Sequence, residues 1–210
     1  YKKHFFRDKT WGGSEGSRYN AVEHTHAEFA GMITRLDSYV GEVLRKLKKK
    51  GLDDNTIVIF SSDNGPHEEG GADPEFFGRD GKLRGLKRQC HEGGIRIPFI
   101  VRWPGRVSAG MVNDHQLAFY DVMPTFCELM EDKAFPKKYI NKKIKNDCFD
   151  GISFASTLLG DDSKQQKHDF LYWEFHETDQ IGVRMGHLIC MISQMMCMKI
   201  IILQLPILIL

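Results

Sequence analysis

Apolar residues at Phe29, Met32, Ile33, Leu36, Val40, Val43, Leu44 and Leu47 recur at steps of three and four. That spacing puts them on one stripe of an α-helix, because side chains three or four apart share a helix face. Gly51 follows in the position where a left-handed residue ends such a helix. The basic stretch from Arg45 to Lys50 then reads as the solvated helix end, where cations complement the dipole. After the turn Leu52-Asp53-Asp54-Asn55 the period disappears, and Thr56-Ile57-Val58-Ile59-Phe60 runs on without polar alternation. An unbroken run of this kind predicts a parallel strand buried on both faces. A second run, Phe99-Ile100-Val101, predicts another strand. A helix is expected from about Asp121 to Glu131, with Asp121 as its cap and Pro124 in the first turn, where its missing N–H does no harm. Helix and strand in alternation point to a doubly wound α/β sheet. The Lys-rich residues 133–145 are expected to form a surface loop. Beyond the polar linker 161–167, Phe170-Leu171-Tyr172-Trp173-Glu174-Phe175 opens a new strand-like unit.

The chemistry begins where the first strand stops, at Ser61-Ser62-Asp63-Asn64-Gly65-Pro66. Ligands gather at the carboxyl ends of strands in open α/β sheets, so Asp63 and Asn64 stand where a site is expected. A carboxylate beside a carboxamide offers hard oxygens, which suit Ca²⁺ or Mg²⁺ better than zinc. An Asx turn that merely ends the strand is the plainer reading of the same residues. A second block follows: Gly81-Lys82-Leu83-Arg84-Gly85-Leu86-Lys87-Arg88-Gln89-Cys90-His91-Glu92-Gly93-Gly94-Ile95-Arg96-Ile97-Pro98, leading into the Phe99 strand and Trp103-Pro104-Gly105.

The order of these blocks (strand–DNGP, K-x4-EGG-x-R-x-P, strand, WPG, then a helix opening D-x-x-P-T) resembles the type I sulfatases of the alkaline phosphatase superfamily. The likeness runs from about His26 to about Gly186. It implies a partial alkaline-phosphatase-like sheet with the start of a small C-terminal antiparallel subdomain. It also implies an enzyme hydrolysing sulfate esters, of a sulfated sugar or an aryl alcohol. By the resemblance, Asp63 and Asn64 are metal ligands, the ion being calcium, and Lys87 is the catalytic lysine that contacts the sulfate and its leaving oxygen. His67, on a polar Gly-rich loop, and Arg84 are candidate substrate-binding residues. Gly93 and Gly94 are expected to allow backbone turns closed to other residues. Glu92 and Arg96 are expected to be structural partners, His91 a packing residue, and His24 and His26 capping or exposed positions.

Such sulfatases use a formylglycine made from the cysteine of C-x-P-S-R or C-x-A-x-R, or from a serine in the same frame. None of the five cysteines, Cys90, Cys127, Cys148, Cys190 and Cys197, is followed by that pattern. The nucleophile and the remaining metal aspartates are therefore expected in an N-terminal half that this chain lacks, which makes it a C-terminal portion expected to be inactive alone. A phosphatase or phosphodiesterase of the same superfamily, or a non-catalytic truncated product, are the alternatives. Residues 1–165 are assigned to the α/β domain, 166–186 to the start of the C-terminal subdomain, and 187–210 to an atypical apolar tail. A shifted reading frame explains that tail better than membrane contact, since Gln194, Lys199, Gln204 and Pro206 interrupt it, and a genuine pair of strands is the third reading. With 29 Lys and Arg against 28 Asp and Glu, nothing suggests a nucleic-acid partner. Five cysteines with no CxxC pair and no even framework give no ground on which disulfides can be argued. Compartment is not legible; the resemblance implies a periplasmic, secreted or lysosomal setting.

Overall fold

The computed structural model describes residues 1, 3–4, 8–15, 19–78, 81–131 and 149–193. The Lys-rich stretch 133–145 and the apolar residues 194–210 lie outside them.

The long helix, α1, spans Thr25–Lys49. Its end is closed by backbone bonds from Gly51 N–H to Lys48 O and from Leu52 N–H to Leu47 O. Gly51 sits at φ +67°, so the chain turns through the left-handed region that glycine enters without strain. Glu28 lies in the first turn and Lys46, Lys48 and Lys49 in the last, matching the helix dipole. The N-terminus is capped from a distance. Asp8 accepts the backbone N–H groups of His26 and Ala27, each at 2.9 Å. The apolar stripe of α1 is largely open: Met32, Ile33, Leu36 and Val43 are all exposed.

A short 3₁₀ turn, Asp53–Asn55, leads into β1, Val58–Ser61. This strand pairs with β2, Phe99–Arg102, and the pairing is antiparallel, Val58 facing Arg102 and Ser61 facing Phe99. The expectation of a parallel strand buried on both faces is corrected here. Among the described residues β2 is the sole neighbour of β1, and Phe60 and Ile100 on these strands are exposed. An unbroken apolar run shows that a strand has two apolar faces; it carries no information on the direction of its neighbour. Arg102 closes the sheet by a two-pronged ion pair with Asp53, at 2.7 and 2.8 Å.

The one-turn helix α2, Glu92–Ile95, precedes β2. A 3₁₀ turn at Phe119–Asp121 runs into α3, Val122–Glu131, with Pro124 in its first turn. The cap expected at Asp121 takes another form. Its carboxylate turns back to accept Ala118 N–H at 2.7 Å and reaches across to Ile152 N–H at 2.8 Å. His168 Nε2 lies 2.9 Å from both carboxylate oxygens. Thr125 donates to the Asp121 carbonyl and accepts Phe154 N–H. Asp121 and Thr125 are almost wholly buried, so this polar knot has every partner that burial demands. Around it sit the buried Phe154, Ala155 and Leu158, the last two on the short helix α4, Ala155–Leu158.

The described residues end in an antiparallel sheet of three strands: β3, Leu171–Phe175; β4, Gln180–Met185; and β5, Leu188–Ser193. The boundary drawn at 187 thus falls inside a sheet, since β5 pairs with β4 from Met185–Leu188 to Gln180–Ser193. No helix among the described residues is long and apolar enough to cross a membrane.

Candidate active site

Beyond β1 the backbone folds on itself. Ser61 Oγ donates to Pro98 O at 2.7 Å and Ser62 Oγ to Asn64 O at 2.9 Å. The Asn64 amide nitrogen donates to Gly65 O at 2.8 Å, which turns its Oδ1 the other way. Asp63 is exposed, and its carboxylate makes no hydrogen bond or ion pair among the described residues. Two unspent oxygens at a strand end can serve a hard cation. Among the described residues no three His, Cys, Asp or Glu side chains gather into a metal site.

Two backbone bonds join this turn to the lysine loop: Gly65 N–H to Gly94 O, and Lys87 N–H to Pro66 O, both 2.8 Å. The approach leaves no room for side chains. A β-carbon on Gly65 would lie 1.8 Å from the Gly93 carbonyl oxygen; one on Gly93, 2.1 Å from Gly85 O; one on Gly94, 2.0 Å from Gln89 O. Gly93 and Gly94 are therefore required for close approach, and neither has positive φ, which corrects the expectation of special turns there. Positive φ falls instead on Gly81, Gly85, Lys82 and Arg88 of the same block, and at Lys82 (+64°) and Arg88 (+70°) it is an uncommon state for a residue with a side chain.

Lys87 is partly exposed, its ammonium 3.3 Å from Glu69 Oε2. The other Glu69 oxygen lies 3.0 Å from Arg88, and the Tyr19 hydroxyl donates to Oε2 at 2.9 Å. The Tyr19 hydrogen bond, with further help from Lys87 and Arg88, holds the Glu69 carboxyl below the usual carboxylate range. His67 accepts Glu69 N–H at Nδ1, 3.1 Å, so a neutral ring carries its proton on Nε2. The ring stacks against Tyr19 at 6.2 Å. Structure thus brings His67 and Lys87 to one carboxylate. Arg84 is exposed, makes no ion pair among the described residues, and contributes its carbonyl to Gly93 N–H.

Glu92 pairs with Arg96 at 3.4 Å and with Arg184 of β4 at 3.2 Å, in keeping with its expected structural role. Burial lowers the His91 imidazole, and its buried Nδ1 has no hydrogen-bond partner among the described residues. Cys90 is buried, its thiol pushed up by burial; its N–H donates to the Gln180 side chain. The terminal sheet therefore braces the lysine loop from behind. His26 is corrected most sharply. It is buried, with Asp8 3.0 Å from Nδ1, Asp73 3.2 Å from Nε2, and Phe76 stacked on its face at 3.7 Å. Glu69, Tyr19, Asp73 and Arg184 escaped sequence reasoning because their partners lie far along the chain. The positional cue for Glu69 and Asp73 was the Gly-rich loop that holds both.

The sulfatase family model matches residues 2–132. Rat steryl-sulfatase (Rattus norvegicus) is 34% identical over 154 residues, covering 72% of this chain and 25% of the relative. The arylsulfatase of Hemicentrotus pulcherrimus is 40% identical over 158 residues, covering 73% and 25%. Among solved structures, the PsFucS1 sulfatase from Pseudoalteromonas sp. superposes with a TM-score of 0.53 at 33% identity, covering 72% of this chain and 28% of that one. The chain spans about a quarter of the length of these curated relatives. Its α/β part and its small antiparallel sheet are a portion of an alkaline-phosphatase-like fold. The chain belongs to the sulfatase family, and the residues matched are from its C-terminal part.

Proposed function

We propose that this chain forms one wall of an active site that hydrolyses sulfate esters, with Asp63 and Asn64 as ligands of a calcium ion and Lys87 as the catalytic cation. The observation that supports it most is the pair of backbone bonds, Gly65 to Gly94 and Lys87 to Pro66, that ties the oxygen pair to the lysine loop. An all-oxygen pair with an unengaged carboxylate fits a hard cation. Bound there, the ion would supply fixed positive charge for the sulfate oxygens. Lys87 holds a sulfate oxygen and stabilises the charge that grows on the leaving oxygen as the S–O bond breaks. His67, on the loop after the oxygen pair, touches the sulfated group, and Arg84 helps to orient the lysine loop or the anion. The formylglycine nucleophile comes from a segment outside these 210 residues.

Asp63→Ala in an enzyme carrying this chain tests the reading. Aryl sulfate hydrolysis should vanish and Ca²⁺ affinity by calorimetry should fall, with the circular dichroism spectrum preserved. Unchanged Ca²⁺ affinity would remove Asp63 from the metal site.

A further inference from the structure

Glu69 carries more donors than a loop carboxylate needs. Its two oxygens meet Tyr19 at 2.9 Å, Lys87 at 3.3 Å and Arg88 at 3.0 Å. The backbone brings the two cations there at a cost, since Arg88 holds the left-handed conformation that side chains disfavour. Arg88 is tethered again by Glu177 at 4.0 Å. A carboxylate gripped by two adjacent cations presents oxygens much as two oxygens of a sulfate would.

We propose that Glu69 is an internal counter-anion: it fills the Lys87–Arg88 clamp in place of a substrate sulfate, and an incoming ester takes the two cations over from it. This rests on the reading of Lys87 as an anion-binding group. Glu69 is then a specificity-determining residue. An anion held only by the two cations must compete with a tethered carboxylate, whereas an ester gains further contacts from its organic part. Building a competitor against the wrong ligand is a direct route to discrimination. The Tyr19 hydrogen bond and the two cations hold the Glu69 carboxyl below its ordinary value, so the competitor carries its charge at neutral pH.

The full 210-residue chain is titrated with sodium sulfate at constant ionic strength. Glu69→Gln keeps the shape and an acceptor for Tyr19 but removes the charge. It should bind sulfate about fivefold or more tightly than the native chain, from the Coulomb term of a unit charge at this range. Glu69→Asp should stay close to native, and the double variant Glu69→Gln/Lys87→Ala should lose the gain. Damage to the fold cannot produce a gain in affinity, so the direction of change is diagnostic. Equal or weaker sulfate binding by Glu69→Gln, with Lys87→Ala still weakening it, overturns the counter-anion and leaves the Lys87 reading standing. Binding that ignores Lys87→Ala in both forms overturns that reading and the inference with it.

Discussion

At the scale of single residues, Lys87 has the most to do and is also the most constrained. Its N–H is bonded to Pro66 and its ammonium to Glu69, so the side chain leaves the backbone in a set direction. Loss of one preorganised donor to a developing oxyanion costs about 10²–10³ in kcat. Lys87→Ala in an enzyme carrying this chain should show that loss in steady-state hydrolysis of an aryl sulfate, and near-normal turnover would make it a loop residue. Lys87→Arg should recover only part, because a planar fork does not replace a compact charge. Asp63 and Asn64 could be named as candidates from sequence because they follow a strand, and Lys87 because of its spacing from Glu92-Gly93-Gly94. His26 could not. Its imidazole reads as a residue at a helix start, yet it is buried between Asp8 and Asp73, and no periodicity links those three positions.

Elements meet at the site through backbone more than through side chains. The turn after β1 and the segment entering α2 approach so closely that Gly65, Gly93 and Gly94 exclude a β-carbon altogether. Gly65→Ala must push the two loops apart. Overpacking of this kind costs about 1–3 kcal/mol, and thermal unfolding should show the midpoint lowered accordingly. The same variant should lose activity out of proportion to stability, because the displaced segment carries Lys87; an alanine variant with native stability would mean the loops can slide. Helix α1 was legible from its period, and both strands of the first sheet from their unbroken apolar runs. The direction of β1 against β2 was not, because an apolar run encodes burial and says nothing of strand polarity. The support given by β4 was equally hidden: Arg184 and Gln180 reach Glu92 and Cys90 from about ninety positions away.

Across the whole molecule, carboxylates held in ion pairs and hydrogen bonds dominate the response to acid. Lys9, together with the N–H of Phe76, draws Asp73 far below its ordinary value. Arg102 lowers Asp53 and Tyr19 lowers Glu69. Burial pushes Asp8 up, but the N–H groups of Ala27, His26 and Lys9 outweigh it. A carboxyl depressed in the folded state stabilises it above the unfolded value, and that stability is lost as pH falls through the folded value. The unfolded values lie near about 4, so the melting midpoint should fall steeply below about pH 4. Burial also lowers His91 and His115, disfavouring their charged forms in the folded state; their contribution acts in the same direction and begins to fade below about pH 6.5. Melts recorded from pH 7 to pH 3 check this, and a midpoint flat throughout would contradict it. The Asp121–Thr125 knot has a consequence of another kind. The chain leaves α3 at Glu131 and is seized again at Ile152 and Phe154 by those two buried side chains. The intervening span is fixed at one end by helix α3 and held at the other by the Asp121–Thr125 knot. Doubling its length would add only about 0.6 kcal/mol of closure entropy. That span is where this protein can accept an inserted tag, reporter or protease site while the lysine loop stays undisturbed.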